Sequence, residues 1–219
     1  MKKLFILAGF VLLLTGICFS QGNSVNSKFE KAILDNLKVL DTAKSPGTFV
    51  TLANNFDRIS NVEKKEWLPY YYAAFCYTML ALYSQDPNQI DPLADKAESY
   101  LQKAAELSSK NSEISCLYGM ITAAKISADP MNRFQAMSVD LETYLARSKA
   151  EDPNNPRPYL LEANTRLRTP ESMGGGKSVA KPIIEEAIKK YDTFKPESAL
   201  YPNWGKENAV GILQAMGKG

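Results

Sequence analysis

The sequence predicts an all-α protein: a right-handed solenoid of about four antiparallel helical hairpins followed by a short C-terminal helix. Three observations carry that expectation. Apolar residues recur at i, i+4 and i+7 through most of the chain, and no stretch sustains the alternation of a strand. One triplet returns at a nearly constant pitch: Leu52, Phe56, Ile59; Ala97, Leu101, Ala104; Leu141, Leu145, Ser148; and Ala180, Ile184, Ala187, at offsets of 45, 44 and 39 residues. In Ser45-Pro46, Asp91-Pro92 and Asp129-Pro130, a capping side chain precedes a proline suited to the first helical position, which marks the starts of second helices.

Taken in chain order, residues 1–20 read as a signal peptide. Lys2 and Lys3 precede the apolar run from Leu4 to Ile17, and Cys18-Phe19-Ser20 places small residues at minus three and minus one of a cut before Gln21. The run is short of the roughly 20 residues of a spanning helix. The expected product is therefore one exported domain, 21–219, without a retained transmembrane anchor and most naturally periplasmic. Its predicted hairpins are 26–43 with 47–60, 66–84 with 92–109, 112–128 with 131–149, and 157–168 with 177–194, followed by a last helix at 204–216. Asp152-Pro153-Asn154-Asn155-Pro156 ends the sixth helix, because proline has no N–H to continue the ladder. Gly174-Gly175-Gly176 supplies the turn before the eighth.

The segment Ala97-Glu98-Ser99-Tyr100-Leu101-Gln102-Lys103-Ala104-Ala105-Glu106-Leu107 resembles the second helix of a tetratricopeptide repeat, with small residues where two helices approach and a large one between. Ala180, Ile184 and Ala187 repeat that pattern, and Pro153 stands where the repeat's closing proline does. Ala74, flanked by Tyr70 and Tyr77, and Gly119 match the small residue of the first helix. The units exceed the repeat's consensus of about 34 residues, and Leu52, Ile59, Leu141 and Ser148 replace its alanines. The C-terminal part, with Gly174-Gly175-Gly176-Lys177 and Pro202-Asn203-Trp204-Gly205, looks like exported helical-repeat proteins common in Bacteroidota. The resemblance implies first helices lining a concave groove that holds a protein or peptide partner.

Composition narrows function by exclusion. The chain contains no histidine, which removes imidazole acid–base pairs, Ser-His-Asp and Cys-His nucleophile systems and ordinary zinc sites. Lys and Arg number 26 against 24 Asp and Glu, and loss of Lys2 and Lys3 balances them, so no basic footprint points to nucleic acid. No residues are nominated as catalytic, cofactor-binding or metal-ligating. Asp86, Asn88, Asp91 and Asp95 lack the glycine turn and closing glutamate of a calcium loop, and read as a capping and solvated turn.

Residues 67–83 carry Trp67, Tyr70, Tyr71, Tyr72, Phe75, Tyr77 and Tyr83, more rings than one helix face buries. With Tyr70, Ala74 and Tyr77 facing inward, Tyr71, Phe75 and Met79 are the expected partner contacts in the groove. Gly174-Gly175-Gly176-Lys177-Ser178 departs from a phosphate loop at Glu171 and follows a helix rather than a strand, so it reads as a turn. Cys76 and Cys116 sit in helices staggered by five residues, about 7.5 Å, which predicts two unpaired thiols. The expected function is a non-enzymatic interaction module or scaffold of the periplasm or cell envelope. The alternative is a small-ligand or anion binder using the aromatic helix and the Gly-rich loop with Lys177.

Overall fold

The computed structural model describes residues 23–217, so the signal peptide expected at 1–20 lies outside the described residues. Within them the chain forms nine α-helices and no strand: α1 (Asn23–Leu40), α2 (Pro46–Val62), α3 (Trp67–Tyr83), α4 (Pro87–Leu107), α5 (Ser112–Ala128), α6 (Pro130–Glu151), α7 (Arg157–Arg168), α8 (Lys177–Thr193) and α9 (Lys206–Gly217). A single 3-10 turn, Glu171–Met173, follows α7. Capping explains several of the starts. Ser45, Asp86, Asn111 and Asp129 lie just before α2, α4, α5 and α6, and each side chain accepts a backbone N–H from the first turn.

One expected boundary is corrected. α4 starts at Pro87, capped by Asp86, and not at Pro92, which sits inside the helix. Pro92 is the sixth residue of α4, where the carbonyl its missing N–H leaves unpaired belongs to exposed Asn88 at the helix start. Pro182 occupies the corresponding sixth position of α8. As a result Asp91 and Asp95 do not belong to a solvated turn. They are helical, and pair with Arg133 at 2.6 Å and Lys125 at 2.9 Å. Among the described residues no cluster of His, Cys, Asp or Glu is arranged to hold a metal ion.

Consecutive helices pack against one another, and α3 also touches α5, which in turn touches α7. The repeated triplets fall on α2, α4, α6 and α8, and all but half-buried Ile59 are buried. Ser148, which stands where an alanine is expected, is explained by a reciprocal pair. Ser148 Oγ donates to Ser112 O at 2.8 Å, and Ser112 Oγ donates to Ser148 O at 2.8 Å, which binds α5 to α6 inside the core. At Gly119 an added Cβ would lie 3.2 Å from Leu145 Cδ2, so the absent side chain lets α5 approach α6 closely.

The larger hydrophobic cluster draws mainly on α1–α6. A smaller one joins Leu160 and Ala163 of α7, the α8 triplet with Tyr191, and Ala209 and Met216 of α9. Trp204 packs against both. It precedes α9 rather than beginning it, because Gly205 adopts φ 110°, a left-handed conformation outside the helix. No helix of the described residues is long and apolar enough to cross a membrane.

Candidate functional site

The aromatic residues of α3 divide between two faces. Tyr70 donates its hydroxyl to Ser60 O of α2 at 3.1 Å, and Tyr77 stacks on Tyr100 of α4 with ring centroids 5.7 Å apart. The opposite face meets the segment 194–205, which joins α8 to α9. Trp204 Nε1 donates to the Tyr71 hydroxyl at 3.0 Å, and its ring lies 5.1 Å from that of Phe75. Tyr72 donates to Leu200 O at 2.6 Å, and Tyr201 packs edge-on against Trp67 at 5.4 Å.

Arg157, the first residue of α7, pins this strap. Its side chain has no exposed area, and Nη1 donates to Glu113 Oε1 of α5 at 2.8 Å. Nη2 donates to the Pro202 carbonyl of the strap. The guanidinium lies between the Phe194 and Trp204 rings, 5.1 and 5.2 Å from their centroids. Asn155 Nδ2 also donates to Glu113 Oε1, at 2.9 Å. Burial pushes the Glu113 carboxyl up, with Arg157 and Asn155 opposing it, while Glu113 holds the guanidinium charged.

The expected partner contacts therefore sit in unequal places. Tyr71 is fully buried and Phe75 is 5% exposed, both beneath the chain's own strap, and Met79 is half-buried. The expectation that Tyr71 and Phe75 face an open groove is corrected: the strap turns that part of the helix face into core. Nothing periodic in 194–205 announces this, which is why sequence reasoning missed Trp204 and Arg157.

In the glycine loop the glycine N–H groups are taken up by the turn. Gly174 N–H donates to Glu171 O, Gly175 N–H to Pro170 O and Gly176 N–H to Arg166 O, at 3.0, 3.1 and 2.8 Å. These three donors hold the turn itself. A Cβ at Gly175 would meet Thr169 O at 2.1 Å, so close backbone approach explains the glycine there.

A groove that sequence reasoning did not find runs between α4 and α6, on either side of α5. Tyr118 of α5 and Tyr144 of α6 stack there with centroids 5.2 Å apart and planes 16° from parallel. Ala105 and Ile114 add apolar wall, and Lys110 and Arg147 stand on its border. Its volume is about 420 Å³, within the range of about 300–1,000 Å³ usual for small-molecule sites. A second cavity, of about 440 Å³, lies between the helix turns and the strap, lined by Glu113, Glu151, Asp152 and Glu197 with Lys110 and Lys195.

No protein-family model matches the chain, and no curated protein matches its sequence. Among solved structures it is similar to the HusA haemophore from Porphyromonas gingivalis, with a TM-score of 0.78 and 33% sequence identity, over 90% of this chain and 94% of that one. The chain belongs to the HusA family. This member of the HusA family has no imidazole to offer an iron centre. Cys76 and Cys116 are fully buried, and burial pushes both thiols up, so neither presents a thiolate.

Proposed function

We propose that this chain is a non-enzymatic ligand-capture protein of the cell envelope that binds haem or a related porphyrin. The observation that carries the reading is the likeness to the HusA haemophore at 33% identity over nearly the full length of both chains. With no histidine in the sequence, recognition falls to the flat face and the carboxylates of the ligand rather than to imidazole ligation. Aromatic stacking and cation–carboxylate pairing supply that chemistry. Metal-free protoporphyrin is therefore expected to bind alongside haemin. Export with a start at Gln21 suits a scavenging role, and a right-handed, tetratricopeptide-like stacking of the hairpins is the architecture we infer for the family fold.

A peptide in the concave groove has less support, because the strap 194–205 already covers Tyr71 and Phe75 there. Titration of the 21–219 protein with haemin and with protoporphyrin IX, followed by the shift of the ligand's main absorption band and quenching of Trp67 and Trp204, tests the proposal. Saturable binding of both is the expected result. Absence of binding at micromolar concentration, with a peptide or protein recovered instead from the native envelope, would overturn it.

A further inference from the structure

The geometry points to the groove between α4 and α6 as the seat of a planar dicarboxylate, with Tyr118 and Tyr144 against the ring face and Lys110 and Arg147 at the carboxylates. This assignment rests on the porphyrin-capture reading and gives it a place. The strap excludes the concave aromatic face, whose Tyr71 has no exposed area. The second cavity is lined mainly by polar and charged side chains and presents no stacked ring pair like that of Tyr118 and Tyr144.

In the α4–α6 groove the single lining acid, Glu98, stands against two lining cations, Lys110 and Arg147. Glu98 at one end is bound by Lys125 at 2.6 Å, and Glu151 near the other is held by Ser115 at 2.6 Å and by Arg147 Nε at 2.9 Å. Lys125 is shared with Asp95, and Arg147 bonds Glu151 through Nε, which leaves its Nη groups to meet a ligand carboxylate. Lys110 is exposed, and its backbone takes φ 58°, a left-handed turn conformation that glycine or asparagine adopts at lower cost. The lysine there sets an ammonium at the turn end of the groove.

Dimensions agree with a macrocycle. From Glu98 to Ser108 the groove follows α4 and its C-cap over ten residue steps, about 15 Å at 1.5 Å per residue. Tyr118 and Tyr144 are both half-buried, so each retains exposed ring area for a ligand while their mutual stacking holds them in place. Burial and the nearby Glu98 push the Tyr118 hydroxyl up, so it stays a neutral phenol at physiological pH and adds no anion to the site.

The test compares protoporphyrin IX with its dimethyl ester, which keeps the ring and lacks the charges. The Lys110→Gly/Arg147→Gln pair removes both cations, and glycine suits the turn. It should weaken the free acid by about tenfold or more while leaving the ester unchanged. Tyr144→Ala, at a half-exposed position, should weaken both ligands. If the wild type binds and neither variant changes affinity, the groove is overturned and the capture reading stands. If the wild type binds neither ligand, the capture reading itself fails. A Lys110→Gly/Arg147→Gln protein that keeps the wild-type circular dichroism spectrum and thermal midpoint yet loses acid and ester equally would overturn the carboxylate assignment, because a ring-only site produces that result.

Discussion

Arg157 shows how much one side chain holds in this fold. Its ion pair with Glu113 is buried, and Glu113 Oε2 and Arg157 Nε are left without a protein partner. Burying such a pair gains little over a hydrophobic replacement, but removing one member strands the other's charge in a low-dielectric interior. Arg157→Ala is therefore expected to cost about 3–5 kcal/mol, measured as a lowered urea midpoint, and to shift the Trp204 emission as the strap loosens. Tyr71 separates packing from polarity at the same place. Tyr71→Phe removes the acceptor of the Trp204 N–H and should cost about 0.5–1.5 kcal/mol. Tyr71→Ala empties a fully buried ring site and should cost about 3–5 kcal/mol. Equal small losses for both, by chemical denaturation, would show that the strap does not seal this ring.

At the scale of elements, the helices are tied by polar clamps as well as by their apolar faces. Asp91 of α4 accepts two bonds from Arg133 of α6, at 2.6 and 2.7 Å. The Arg133 guanidinium holds the Asp91 carboxyl below the ordinary aspartate value. An acid with a depressed folded pKa binds fewer protons folded than unfolded just below its ordinary value of about 3.9. The clamp's contribution is therefore full at pH 5 and above, and is lost as pH falls through the folded value. The stability difference between wild type and Asp91→Asn should be constant from pH 7 to pH 5 and should shrink below about pH 4, read from thermal midpoints at each pH. High salt should reduce it, because both partners are part-exposed.

For the whole molecule, the two free thiols report global opening. Cys76 of α3 and Cys116 of α5 both have no exposed area. The 21–219 protein should label negligibly under native conditions and titrate as two thiols when unfolded without reductant. A native labelling rate far above the global unfolding rate would show that the helices around α3 open locally. The larger and smaller hydrophobic clusters share Trp204, so the strap joins the α1–α6 body to the α7–α9 end.

The helices themselves were legible because their determinants are local. Apolar spacing, the caps Ser45 and Asp129, and the small residues Ala97, Ala104, Ala180 and Ala187 act within a few residues of one another, and each falls where its pattern places it. Even Ser148 in place of alanine was visible as a departure, although its reason needed Ser112, 36 residues away. What only the tertiary structure decided lies where no period speaks. Segment 194–205 has no helical repeat, yet it brings Trp204 to Tyr71 across 133 residues and converts an expected binding face into core. The start of α4 at Pro87, capped by Asp86, and the closure of the glycine loop on nearby carbonyls are local, but no period announces them. The Tyr118–Tyr144 groove, like the strap contact, is tertiary, since stacking two tyrosines beside α4 depends on how helices meet and not on how any one of them forms. A helix is set by interactions four residues apart, whereas a site on its surface is set by the neighbours that tertiary packing supplies.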